Sequence, residues 1–420
     1  MIRKTKLTAA LAATAALTLL AGCSSGGGDD TADTVTLDVW LFGGMGLDEV
    51  VAQYEEDNPG IDINVKGANS DEQAQALTTA LAGGSVPDVA AIEGSYLAKF
   101  KAQPQNFVDM RTLGADEIAD TYLDWRWDQG VAADGEVIGI PTDVGGLAMA
   151  YRTDLFAAAG LPTNRDEVGA LWSTWDDFMA VGEQYKAATG KGMIDTVVAA
   201  VYNASVRQGS EQYYGDDDEL IYETNDQVRT SFDRAIEAIP FSSQIKPFSE
   251  EWNAGMNNGD FAVLSAPSYM MTYIKQQAPD TAGKWDIATV PGNSGSAGGS
   301  QLTIPAKSDN PEEAYDFITW LLAPEQQLTV FQTNGNFPTT PELYDTPDIQ
   351  DFTNDFFGGA PVGQIYSASV QSVEPIYEGP EHRVIETALV NVMDEVEAGQ
   401  VDKADAWDTA LTTVETALKG

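Results

Sequence analysis

Five segments between Thr34 and Ile92 switch between two hydrophobic periods, and this alternation restricts the fold more than any other stretch of the chain. Thr34 to Phe42 (TVTLDVWLF) places Val35, Leu37, Val39 and Leu41 on one face of a strand. Leu47, Val50, Val51 and Tyr54 then recur at helical spacing until Asn58-Pro59-Gly60 stops the helix. Ile61 to Val65 reads as a second strand. Ala74, Leu77 and Leu81 mark a second helix, ended by Gly83-Gly84, and Pro87 to Ile92 is a third, buried strand. Strand–helix–strand–helix–strand with short links implies a parallel sheet covered by helices.

The rest of the chain keeps this mixed character. Gly139 to Tyr151 begins as a turn and becomes an apolar strand, and Gly259 to Leu264 reads as another strand. Trp175 to Ala188 and Asn225 to Ile239 read as amphipathic helices. Gly292 to Ser300 is a glycine-rich loop. Asn310-Pro311-Glu312-Glu313 is a helix start with Asn310 as N-cap and Pro at the first helical position. Two further helical patterns run through Val384 to Val392 and Trp407 to Leu418. At 420 residues the chain has room for more than one domain.

The N-terminus carries an address. Arg3, Lys4 and Lys6 form a positive n-region, and Leu7 to Leu20 is an apolar run too short to make a comfortable permanent membrane span. Leu20-Ala21-Gly22-Cys23 then matches the bacterial lipobox at every position, so residues 1–22 read as a lipoprotein signal peptide and Cys23 as the lipidation site. Cys23 is the single cysteine, which excludes a disulfide within the chain. Residues 23–33 read as a flexible tether.

Charge and residue usage exclude several functions. Acidic residues outnumber basic ones 65 to 22, giving a net charge of −43 that repels nucleic acid and anionic lipid surfaces. The acidity fits solubility outside the cell or adaptation to salt. One histidine, His382, cannot build a His-rich metal site, and with Cys23 consumed the thiolate options vanish. No nucleophile elbow, phosphate loop or dinucleotide fingerprint occurs. Asp216-Asp217-Asp218 lacks calcium-loop spacing and reads as a solvated turn. No cofactor is expected. A glycosidase needs only two carboxylates, so that class stays open.

Several segments together resemble the extracellular solute-binding proteins of carbohydrate ABC importers, the maltodextrin-binding-like group. Leu37-Asp38-Val39-Trp40 with Tyr54 to Ile61 is similar to the family's opening strand and first helix. Ala82-Gly83-Gly84 before Pro87-Asp88-Val89 is similar to its turn before the third strand. Gly139-Ile140-Pro141-Thr142 leading into Tyr151 to Phe156 looks like the first crossing between lobes, and Pro311 to Ala314, Trp320-Leu321 and Pro324-Glu325 look like late crossing helices. Gly298-Gly299-Ser300 and Gly335-Asn336-Phe337-Pro338 resemble actinobacterial oligosaccharide-binding lipoproteins, although Ala297 stands where that subgroup often carries an aromatic.

The resemblance implies an α/β fold of the type II periplasmic-binding-protein kind, with two lobes, each a mainly parallel sheet flanked by helices, and a ligand cleft between them. It implies lobe one over 34–142 plus 268–323 and lobe two over 143–267 plus 324–420. It implies a monomeric binding protein, not an enzyme, on the outer face of the membrane of a Gram-positive bacterium. A sugar, di- to oligosaccharide, is the implied ligand, membrane permease subunits are the partners, and lipid alone makes the membrane contact. A secreted glycosidase, or a binder of a polyol or amino acid, is the alternative. Arg152, Arg207 and Arg229 are the arginines weighed for an amino-acid carboxylate, none in a telling context.

Physical rules then name candidate ligand residues. In open parallel sheets, ligands bind beyond the carboxyl ends of strands, which points to Phe42 and Glu93. Phe42 is a stacking platform or a core residue. Glu93 is an ionised group at a strand end, where a pair of sugar hydroxyls is a fitting partner. Asp143, at the first crossing, contacts ligand or makes a hinge hydrogen bond. Tyr269 sits at the second crossing, close to where the family places a stacking aromatic. Trp252 is a platform or a core residue. Ser300 and the glycines before it offer backbone donors, and Asn336 and Phe337 follow a helix end and line the cleft. Trp125, Trp127 and Trp175 are read as packing.

Overall fold

The computed structural model describes residues 34–215 and 218–419. The signal peptide and the whole tether, Cys23 included, lie outside the described residues, as do Asp216 and Asp217. Eight strands form two sheets: β1 (Val35–Phe42), β2 (Ile61–Ala68), β3 (Val89–Glu93), β4 (Ile140–Pro141), β5 (Leu147–Arg152), β6 (Val263–Pro267), β7 (Trp285–Thr289) and β8 (Ser300–Thr303). The first sheet has the order β2-β1-β3-β8-β4, and the second β6-β5-β7.

The opening alternation does what its period demands. Leu37, Val39 and Leu41 of β1 are buried on one face, while β1 pairs parallel with β2 from Val35–Ile61 to Phe42–Ala68 and with β3 at Val39–Val89. The helix Ser70–Gly83 covers the other face and is stitched down by Gln73, whose amide donates to the Trp40 and Ala91 carbonyls at 3.1 and 2.6 Å. Asn69 caps that helix by accepting the Glu72 N–H, and Gly84 ends it in the left-handed region. The helix at Pro311–Leu321 starts where expected, but the Asn310 side chain makes no cap bond; it donates to Asp88 Oδ1 at 3.3 Å instead. Phe317, Ile318 and Leu321 of this helix close the first core against Leu37, Val39 and Leu302.

β8 reaches the first sheet from far along the chain and pairs antiparallel with β3, setting Ser300 opposite Glu93. The second sheet departs from the parallel arrangement expected of it. β6 and β7 run the same way, joined through the helix Met270–Gln277, but β5 lies between them and is antiparallel to both. β7 therefore belongs to the second sheet, and so does the helix before it, whose Met271 and Ile274 lie in that sheet's core. This corrects the expectation that 268–323 lies wholly in the first lobe. Within that span, β8 and the Pro311–Leu321 helix are the parts joined to the first sheet and its core.

All six residues of β5 are buried. Leu147, Met149 and Tyr151 face one core, while Ala148 and Ala150 face another on the opposite side of the sheet. A strand covered on both faces reads as a continuous apolar run, as LAMAY does. The helix Pro324–Asn334 joins the two halves, because Val330 packs in the first core and Phe331 in the second.

Candidate functional site

A cavity of about 790 Å3 opens between the two sheets. Phe42, Glu93, Asp143, Tyr269, Ser300 and Asn336 all line it. The wall from the first sheet is built at strand ends. Phe42 ends β1 with its ring half-buried against the first core, so it is at once core edge and cavity lining. Glu93 ends β3 and caps the next helix, Gly94–Lys101, by accepting the Ser95 N–H at 3.1 Å and the Ser95 hydroxyl.

Asp143 is a tie between three segments. Its Oδ1 accepts from the Thr142 hydroxyl at 2.7 Å and the Ser300 N–H at 3.2 Å, and its Oδ2 accepts from the Asn336 amide at 3.0 Å. Behind it the buried Arg126 donates to the Asp143 and Ser300 carbonyls at 3.1 and 2.9 Å. The Ser300 N–H, expected to be free for ligand, is thus spent on Asp143. Gly299 is left-handed at φ 109°, its carbonyl accepts the Gly94 N–H at 2.9 Å, and a Cβ there would stand 2.7 Å from the Arg126 guanidinium. Glycine is required at this position by conformation and by space together.

Two expected residues stand elsewhere. Trp252 is 1% exposed, stacks on Phe261 and donates its indole N–H to Asp195 at 3.0 Å. It lies in the second core because Ser249 caps its helix and sets Trp252, Gly255 and Met256 on the buried face. Phe337 is fully buried among Phe331, Tyr344 and Tyr366. Trp125, read as packing, is partly buried against the second core and also lines a smaller hollow of about 50 Å3 behind Glu93.

The opposite wall comes from helices. A π-helical turn at Val198–Tyr202 runs into the short helix Asn203–Val206, and Asn203 and Arg207 both line the cavity. Single π turns of this kind often accompany functional sites. Arg207 Nη2 donates to Glu386 at 2.9 Å, and Arg383 Nη1 donates to the other Glu386 oxygen at 2.7 Å. Burial opposes the charge of Glu386, but Arg207, His382 and Arg383 outweigh it and hold the carboxyl down at about 2. Glu93 is displaced the other way: burial raises it, assisted by the charges of Glu386 and Glu378, against the Ser95 bond and Arg207. Burial, then Glu93 and Asp143, keep the Tyr269 hydroxyl above its usual range.

Among the described residues, the buried Oδ1 of Asn203 and Nε of Arg207 have no hydrogen-bond partner. Both belong to residues that line the cavity, and a buried polar atom without a partner is unusual enough in a native structure to mark the place. Sequence reasoning missed Asn203, Arg383 and Glu386, and found no context for Arg207. The available signal was the spacing of Asn203 and Arg207, one helical turn apart at the end of the largely apolar run from Val197 to Val206. No group of His, Cys, Asp and Glu able to hold a metal occurs among the described residues, and none of their helices is long and apolar enough to cross a membrane.

Comparison with known proteins matches this geometry. The profile of the bacterial extracellular solute-binding protein family matches residues 44–328. An arabinooligosaccharide-binding protein of Halalkalibacterium halodurans is 27% identical over 351 residues, covering 79% of this chain and 77% of its own. A lactose-binding protein of Rhizobium radiobacter is 26% identical over 366 residues, covering 82% and 83%. A crystal structure of an extracellular solute-binding protein of family 1 superposes with a TM-score of 0.83 at 33% identity, covering 91% of this chain and 99% of that one. The two-sheet architecture, the cavity between the sheets and these likenesses agree, and the chain belongs to the bacterial extracellular solute-binding protein family.

Proposed function

We propose that this protein captures a sugar, a di- to oligosaccharide, in the cavity between its sheets and delivers it to the permease of an ABC importer. The observation that carries the reading is the convergence of unlike groups on one space. Carboxylates and amides of Glu93, Asp143 and Asn336 line the same space as Asn203 and Arg207, with Phe42 and Tyr269 as aromatic surfaces. Sugars present hydroxyls to the former and C–H faces to the latter. The arabinooligosaccharide- and lactose-binding relatives support the same class.

Capture would proceed by closure of the two halves, because only the closed state lets both walls touch one ligand. Delivery requires release as well as capture, so affinities of about 0.1–10 μM are expected. Attachment through a diacylglyceryl group on Cys23, on the outer face of a Gram-positive membrane, completes the proposal. Incorporation of labelled palmitate that disappears in Cys23→Ser tests the anchor.

The test of the main reading is calorimetric titration of the chain from Ser24 onward, which keeps every described residue. The panel is mono-, di- and trisaccharides of the arabinose, xylose, glucose and galactose series, plus chitobiose. Saturable one-to-one binding with an unchanged sugar chromatogram is the expected result. The opposed displacements of Glu93 and Glu386 in one cavity are a pattern that acid–base pairs also show. New sugars in the chromatogram would replace the binding reading with a hydrolytic one.

A further inference from the structure

The cavity has a third aromatic surface besides Phe42 and Tyr269, and the residue that forms it is neither well covered nor at ease. Phe248 lines the cavity yet is 59% exposed, the most exposed large hydrophobic among the described residues. Its backbone sits in the left-handed region at φ 65°. A bulky side chain adopts that conformation only when its surroundings impose it, and such outliers concentrate where ligands are held. The surroundings here are aromatic. Phe248 lies 5.5 Å from the Trp252 ring and 5.2 Å from the Tyr273 ring, the latter edge-to-face. Tyr273 is itself pinned, its hydroxyl donating to Asn253 at 3.0 Å. Thr272, Tyr273 and Gln276 carry the lining on from Phe248 along one face of their helix.

The cavity is therefore graded. One part of its lining is ionic and amide-rich around Glu93, Asp143 and Arg207, and another carries the Phe248 ring, packed on Trp252 and Tyr273 yet 59% exposed. We propose that Phe248 is an outer subsite that stacks on a sugar unit beyond the one held at Glu93 and Asp143, so that the protein selects ligands of two or more units. The inference rests on the reading of the cavity as a sugar site. Trp252, expected from sequence as a platform, serves instead as the backing that holds Phe248 in place. An apolar ring left largely in contact with water gains little for folding, and a C–H face laid on it removes that exposure.

The test is calorimetry with the mono-, di- and trisaccharides of the series that binds, on the wild-type chain from Ser24 onward, Phe248→Ala and Phe248→Tyr. Wild-type affinity should climb with chain length. Phe248→Ala should cut the affinity for the longest ligand about three- to tenfold, the worth of one stacked ring, and leave the monosaccharide unchanged. Phe248→Tyr should retain the gain with length. Phe248→Gly should melt above Phe248→Ala, since only glycine is at ease at this φ, while sharing its binding defect. Equal losses at every length, or no loss at any, would overturn the outer subsite and leave the sugar site standing. Failure of every saccharide to bind the wild-type chain would remove the sugar site and the subsite together.

Discussion

The two walls of the cavity are made by different means. The first-sheet wall is assembled at the ends of strands, where Phe42 and Glu93 follow directly from the parallel order of β1 and β3. The second wall is assembled from the side chains of helices far apart in the chain, with Arg207 meeting Glu386 across 179 positions. Position on the first wall is a property of the backbone, whereas position on the second is a property of ion pairing. The difference predicts that the two walls respond differently to substitution: the first loses ligand, the second loses structure.

The sharpest contrast lies in the paired carboxylate of the second wall. Glu386→Ala leaves Arg207 and Arg383 without their shared partner in a largely covered site, and should destabilise the fold by about 3–5 kcal/mol in denaturant titration. Trp252→Ala is a comparable insult to the core behind the rim and should cost about 3–5 kcal/mol. Glu93→Gln, on the first wall, should leave stability unchanged or slightly raised, because burial already disfavours its charge. It should weaken binding by about 1.5–3 kcal/mol, the value of hydrogen bonds to a charged group. Loss of stability in Glu93→Gln equal to that in Glu386→Ala would erase the distinction between the walls.

Acid titration sharpens the same comparison. Glu386 is held at about 2, below its ordinary 4.5, so its contribution is present above pH 4.5 and is lost as pH falls toward 2. Asp195, which accepts from Trp252, is pushed by burial up to about 7 from 3.8. The folded state keeps that proton after the unfolded chain has released it, so this contribution is full below pH 3.8 and declines as pH rises to about 7. Asp195→Asn should flatten the decline between about pH 4 and 7 without touching the acid limb, while Glu386→Gln should flatten the acid limb alone. Melting temperatures across pH 2 to 8 report both. The smallest expected effect is at Gly299→Ala, where strain and the approach of Arg126 should cost about 1–2 kcal/mol.

The first wall was legible in the sequence because its determinants are local. Period two in β1 and the glycine stops after the helices define where strands end, and the rule that ligands lie beyond those ends does the rest. Asp143 and Asn336 were found as candidates, but the bond between them spans 193 positions and no local pattern announces it. Arg207 follows a run too apolar to show an amphipathic face, so its side chain had no visible context. Trp252 and Phe248 illustrate the limit from the other direction. The larger aromatic drew attention, yet the Ser249 cap turns it inward and leaves the smaller ring at the mouth. The place of β7 beside β5, and the antiparallel setting of β5, depend on long-range pairing that residue order does not specify.

Glu93 carries a further consequence, one of proton inventory. Its carboxyl stands above the ordinary range, and among the described residues its hydrogen-bond donors are the Ser95 N–H and hydroxyl. Hydroxyls arriving with a sugar would favour the ionised form and draw its pKa down, so each capture event expels a fraction of a proton into the medium. The measured heat would then vary with the ionisation enthalpy of the buffer. Affinity would rise with pH between the two pKa values, and an acidified surface would shed its cargo without any change in the fold.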